Sequence, residues 1–269
     1  MKRTTSIWRL MAVVCAAALC VLTLSAFAAS SASAKGLTAF TCVKGAGVLN
    51  GAHCLGTSAG EYGHVEIKGG EETTGTATNA NTAEETIASR KSILKGSIAG
   101  VVAEIHCTEV TGTFTMENKT TVPLTGEMYA HGVGSLRYSG CLMTKPKNCQ
   151  SPVVIPTKEL TGTTEGIQTA EPPHTLLVKS AIAGPLAEIE VIGCANEELN
   201  GIYPVTGSLK AKISGATVTA AHADITTQNA LKFGGQKAGL DGAVTLRAHK
   251  VPKEGETVEE TKPLTVTTE

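Results

Sequence analysis

Short runs that alternate apolar and polar residues, broken by Gly, Pro or Asn, leave this chain little to form except β-strands and turns. In Val101–Cys107, Ala103, Ile105 and Cys107 share one face while Glu104 and His106 take the other. In 186–192, Ala187, Ile189 and Val191 oppose Glu188 and Glu190 in the same way. Leu209, Ala211 and Ile213 alternate with Lys210 and Lys212, and Val244, Leu246 and Ala248 with Thr245, Arg247 and His249. A period of two places alternate side chains on opposite faces, so each run reads as a strand with one buried face. The single candidate helix is 83–94, with Asn81 or Thr82 as its cap and Glu84-Glu85 in its first turn. Its apolar residues Ile87, Ile93 and Leu94 are too few for a full stripe, and a polar connecting loop fits equally well.

A β-fold poor in aromatic rings needs other support, and the cysteines suggest it. Lys2, Arg3 and Arg9 precede an apolar run over 10–29, which gives way to small residues ending Ala32-Ser33-Ala34. This is the order of a secretory signal, and two Ala-x-Ala sites favour cleavage over a retained anchor. Val14 and Leu19 stand where a lipoprotein site needs a small residue, there is no twin-arginine pair, and 263–269 carries no apolar tail. The expectation is a freely secreted protein, with residues 1–34 removed. Two of the eight cysteines, Cys15 and Cys20, lie in that leader. The remaining six, in an oxidising compartment, are expected to form three disulfides.

Local spacing suggests which cysteines pair. Cys42 and Cys54 enclose a Gly-rich loop, and Cys141 and Cys149 bracket the turn sequence Lys145-Pro146-Lys147-Asn148. Of the fifteen connectivities that six cysteines allow, the one then expected joins Cys107 and Cys194 as the long bridge. They occupy matching places in an internal repeat: IAGVVAEI at 98–105 matches IAGPLAEI at 182–189 in six of eight positions. Each copy continues into a cysteine, a Glu-apolar-Thr/Asn-Gly-x-aromatic pattern (Glu109 to Phe114; Glu198 to Tyr203) and a Pro-x-Thr-Gly turn at 123–126 or 204–207. Three motifs in the same order point to duplication rather than to chance in a Gly/Thr-rich chain.

Composition excludes several functions. Without its first 34 residues the 269-residue chain keeps 235, and loss of three basic residues takes its formal charge from −1 to −4. Such a surface offers no attraction to nucleic acid or to an anionic membrane. The only tryptophan, Trp8, is in the leader, so the stacked rings that sugar and single-strand sites use are scarce. Only Asp224 and Asp241 supply aspartate, and no Asp/Asn/Gly cluster resembles a calcium loop. His53-Cys54 and His106-Cys107 are adjacent pairs whose side chains diverge on a strand, so no metal site and no cofactor are expected.

Several motif matches suggest functional chemistry. Gly56-Thr57-Ser58-Ala59-Gly60 fits the nucleophile elbow of serine hydrolases, with His53 and His64 as nearby bases, but lacks the strand before it and the helix after it. A metal site of His53, His64 and Glu66 would need those three side chains to converge. Ser92-Ile93-Leu94-Lys95 fits SxxK without its companion motifs, and a strand beginning near Ile93 explains it better. Val122-Pro123-Leu124-Thr125-Gly126 is internal and has a twin in the second repeat, so it is a turn rather than a sorting signal. The doublets Glu71-Glu72, Glu84-Glu85, Glu197-Glu198 and Glu259-Glu260 are solvated pairs, because strand neighbours cannot flank one glycosidic bond. Glu104 and Glu188, on the wet faces of matching strands, are the carboxylates worth inspecting.

Phe40-Thr41-Cys42, Ala52-His53-Cys54, the two Ala-Glu-Ile strands and Leu231-Lys232-Phe233-Gly234-Gly235 together resemble a set of secreted, β-rich proteins of soil actinobacteria. The resemblance covers most of the mature chain. It implies architecture only, since its motifs are structural and it supplies no site residues. The chain is thus expected to be all-β, an antiparallel β-sandwich-like domain with internal duplication, stapled by disulfides. A signal over 1–34 precedes a Cys-clasped segment, 35–90, packed on the duplicated sandwich, 91–250; 251–269 forms a polar tail or edge strand through Leu264 and Val266. The leading functional expectation is a non-catalytic module that presents a β-face or loops to a partner outside the cell or in its envelope. The alternative is a small serine hydrolase using Ser58 with His53 or His64.

Overall fold

A computed structural model of the chain describes residues 38–49, 62–67, 73–79, 92–120, 128–164, 174–214, 217–220, 230–249 and 261–267. All of them belong to one compact unit, Gly36–Glu269. In chain order the strands are β1 (Thr38–Leu49), β2 (Tyr62–Glu66), β3 (Thr73–Asn79), β4 (Ser92–Ile98), β5 (Val101–Cys107), β6 (Glu109–Thr120) and β7 (Met128–Ser139). There follow β8 (Leu142–Lys145), β9 (Val154–Pro156), β10 (Leu160–Thr164), β11 (His174–Ser180), β12 (Ala187–Val191) and β13 (Gly201–Thr206). The last are β14 (Ser208–Ser214), β15 (Thr217–Ala220), β16 (Lys232–Phe233), β17 (Gln236–Lys237), β18 (Gly239–His249) and β19 (Thr261–Thr267).

Eight of these strands pair in the order β3-β6-β7-β10-β11-β14-β15-β18, and β18 pairs back onto β3. Every pairing is antiparallel, and the order never departs from sequence order. The expected all-β, antiparallel, disulfide-stapled architecture is therefore present, with its main sheet closed into an up-and-down barrel. Closure leaves the eight strands without free edges. The inward faces carry the apolar halves of the alternating runs: Ala77, Phe114, Met116, Ala130, Ala211, Ile213, Val218, Leu246 and Ala248 form one cluster. The outward faces carry Thr74, Thr76, Thr78, Thr113, Glu117, Lys119, Arg137, Lys179, Lys210 and Lys212. Polar outside and apolar inside is the reverse of a barrel that faces lipid.

The connections fall into two classes. Links β6–β7, β10–β11 and β14–β15 turn at one end of the barrel. Links β3–β6, β7–β10, β11–β14 and β15–β18 turn at the other, and each contains two extra strands. These four excursions build a cap. In it β4, β5 and β8 extend one sheet, and β12, β13, β16 and β17 form a second. Ile98, Ala103, Ile105, Met143, Ile189, Val191, Val205 and Phe233 fill the cap core. Phe233 is fully buried and meets Tyr203 edge to face at 6.1 Å between ring centres. The Leu231-Lys232-Phe233-Gly234-Gly235 motif is explained here: Lys232 pairs with Lys237 and Phe233 with Gln236, leaving Gly234-Gly235 as a two-residue turn. Both glycines have positive φ, +58° and +80°, as such a hairpin requires.

Two disulfides staple the cap, and their partners differ from those that local spacing suggested. Cys107 is bonded to Cys141 and Cys149 to Cys194, replacing the expected Cys141–Cys149 and Cys107–Cys194 pairs. The cause is strand pairing. β5 and β8 are neighbours, with His106 opposite Leu142, which brings Cys107 beside Cys141. A bridge between Gln150 and Ile192 does the same for Cys149 and Cys194. The segment 141–149 therefore links the two repeat cysteines, one at each of its ends. Cys54, and with it the Cys42–Cys54 pairing, lies outside the described residues.

The two similar segments, 98–105 and 182–189, agree in burial at the Ala and Ile of their Ala-Glu-Ile ends and differ in pairing. Ala103 and Ile105 are buried just as Ala187 and Ile189 are, and all four enter the same core. Yet β12 pairs with the strand that follows it, whereas β5 pairs with β4 and β8. The division near residues 90 and 250 is also crossed by hydrogen bonds. β3, from 35–90, is a barrel strand, and β19, from 251–269, pairs with both β18 and β1.

At the end opposite the cap, β19, β1 and β2 leave the wall at β18 as a small ribbon. The ribbon reaches β6 on the other side of β3. There Asn118, 1% exposed, accepts from Ala39 N at 2.8 Å and donates to Ala39 O at 3.0 Å and Ile67 O at 2.7 Å. Ala39 and Ile67 join Met116, Ala130 and Ile213 in the barrel core. The ribbon thus packs across this mouth.

Candidate functional site

The interior of the barrel is incompletely filled. A cavity of about 150 Å³ lies beneath the cap, and a second of about 130 Å³ lies deeper. Their walls show that they are stacked along the barrel axis. On β7 the upper cavity touches Leu136 and Tyr138, and the lower one Ala130, Gly132, Gly134 and Leu136. On β14 the upper takes Leu209 and Ala211 and the lower Ile213; on β18 the upper takes Gly242 and Val244 and the lower Val244 and Leu246. Leu136, Leu160, Val178, Val218 and Val244 belong to both walls and form a waist between them.

The space has a cause in the sequence. An eight-stranded barrel is just wide enough for side chains to fill it or for one small ligand to replace some of them. Here many inward positions hold Gly or Ala: Ala77, Ala130, Gly132, Gly162, Ala211 and Ala220. Some of the small residues are needed for packing. Phe114 lies in register between Gly75 and Gly134, and a Cβ at Gly75 would run into its ring. Others, such as Gly162, whose added Cβ would meet Leu176 only at 3.6 Å, leave room unused.

Among the described residues, no Lys, Arg, His, Asp or Glu lines either cavity. The polar groups of the upper wall are Ser92, Tyr138 and Thr157, and Thr157 Oγ1 already accepts from Leu136 N at 2.9 Å. Burial pushes the Tyr138 phenol up to about 12, so it is a neutral hydrogen-bonding group. An apolar cavity of this size holds no ordered water and takes small apolar molecules. Two wider depressions, about 690 and 460 Å³, lie open on the outer wall along Thr76 and Thr113 and enclose nothing.

The carboxylates marked for inspection are both paired. Glu104 bonds to His106 Nε2 through Oε1 and to Lys145 Nζ through Oε2 at 3.2 Å. The His106 hydrogen bond, helped by Lys145, holds the Glu104 carboxyl below the usual range. Glu188 meets Lys158 at 3.1 Å on an exposed surface. These two glutamates serve separate ion pairs in the cap. Ser92 and Lys95, the SxxK match, lie three apart on β4 and so face opposite sides. Glu197-Glu198 begin a single 3-10 turn capped by Asn196, and both are exposed.

Ser58 and His53 lie outside the described residues, as do the side chains of His64 and Glu66, so the hydrolase trio and the possible metal trio fall there too. Among the described residues, no three His, Cys, Asp or Glu side chains come together as a metal site. No helix among them is long and apolar enough to cross a membrane. The lumen itself was not found from the sequence. Its signal was the run of Gly and Ala at inward strand positions, which is visible only once the strands are known to close. No family model, no curated protein and no solved structure matches the chain.

Proposed function

We propose that this is a secreted, non-catalytic binding module whose barrel lumen holds a small, neutral, apolar molecule. The observation that carries this reading is the pair of stacked cavities, whose described lining residues are mostly apolar and include no charged group. Each is smaller than a drug-sized pocket, so the occupant is small. Secretion rests on the leader over 1–34 and fits two disulfides that need an oxidising compartment. Likeness to the secreted β-rich actinobacterial set is part of the same proposal and rests on motifs such as Leu231 to Gly235.

Calorimetric titration of the oxidised protein with benzene or toluene tests the reading. Saturable binding and a raised Tm are expected, since a ligand specific to the folded state stabilises it. Ala220→Leu, which adds bulk to the upper wall, should weaken binding without unfolding the protein. Absence of binding and of any thermal shift across small apolar compounds would refute the proposal.

A further inference from the structure

We infer that the lumen selects an unbranched aliphatic chain, threaded through the waist so that one molecule occupies both cavities. This rests on the lumen reading and specifies its ligand class. Strands of β7 from Ala130 to Tyr138 run the length of both cavities, roughly 20 Å at the rise and tilt usual for small barrels. The space along that axis is narrow. Five aliphatic residues from five different strands, Leu136, Leu160, Val178, Val218 and Val244, border both cavities and stand between them. A ring fits one cavity and leaves the other empty. A flexible chain passes between the side chains and fills both.

The chemistry of the wall narrows the class further. With no cation among the described residues that line either cavity, a carboxylate drawn inside would be desolvated without a partner there, at a cost that disfavours it. A neutral chain meets no such penalty. Hydroxyl groups occur in the upper wall at Ser92 and Tyr138, so a neutral alcohol or carbonyl end is accommodated beneath the cap. The ligand is therefore a neutral long-chain alcohol, aldehyde or hydrocarbon.

A ladder of straight-chain alcohols from butanol to dodecanol, titrated calorimetrically into the intact oxidised protein, tests the inference. Affinity should rise by roughly fourfold per methylene, the gain for a buried CH2, and continue beyond the length that one cavity holds. Val178→Phe and Val218→Phe each narrow the waist from a different strand. In either variant short alcohols should still bind, while the gain stops at about hexanol. The folded state of each is checked by its Tm, and one folded variant suffices. If the native ladder levels off at the same length as the variants, the chain inference is overturned and the lumen reading stands. If neither alcohols nor benzene bind, both fall.

Discussion

Asn118 shows how one side chain decides a local structure that its neighbours do not announce. In Thr115-Met116-Glu117-Asn118-Lys119 it stands between two charged residues, although a period of two sets it on the face of Phe114 and Met116. In the barrel it points inward, and its amide joins the backbones of β1 and of Ile67, just past β2, to β6 through three hydrogen bonds. Asn118→Ala removes all three and leaves buried backbone groups unpaired, where each costs about 1–3 kcal/mol. The expected loss is about 3 kcal/mol by denaturant titration, and Asn118→Asp should cost at least as much, because it replaces the two amide donors with acceptors. A change under about 1 kcal/mol would show that the ribbon is held by other contacts. Glu104 was legible as a wet-face residue, but its partner Lys145 was not, because β8 reaches it only through tertiary pairing.

At the scale of elements, the cap depends on its cross-links. The loops closed by Cys107–Cys141 and Cys149–Cys194 span 34 and 45 residues. Chain entropy assigns each bridge about 4 kcal/mol of stabilisation. The double replacement Cys149→Ala with Cys194→Ala should lower stability by about 2–4 kcal/mol. Amide exchange should quicken in β12 and β13 while remaining slow in β6 and β7. Equal acceleration in barrel and cap would mean that the two unfold as one unit. Alternation in β5, β12, β14 and β18 was readable because each strand has one buried face. The disulfide partners were not, since spacing along the chain reports loop length and says nothing of which strands become neighbours.

For the whole molecule, acid is the condition that best separates its contributions, because two of the described groups have depressed values. Burial, with Lys119 and Lys179 nearby, holds His131 below its ordinary value despite Glu117. A histidine depressed in the folded state adds stability above about pH 6.5, and that stability is lost as pH falls through its folded value. Glu104, depressed by His106 and Lys145, likewise adds stability above the ordinary carboxylate range and loses it at lower pH. Stability should therefore fall in two stages on acidification. His131→Gln should flatten the first and Glu104→Gln the second, as followed by Tm against pH. A single steep fall in both variants would assign acid lability to other groups.

The sequence alone determined that the chain forms antiparallel strands, which face of β5, β12, β14 and β18 is apolar, and that thiols crosslink them. Those properties are local: a period of two, turn residues, and an even number of cysteines. Closure of eight strands into a barrel, the gathering of four excursions at one end, and the empty lumen were decided only in the tertiary structure. Each depends on which distant strands pair, and whether an inward Gly or Ala leaves space depends on what stands across the barrel from it.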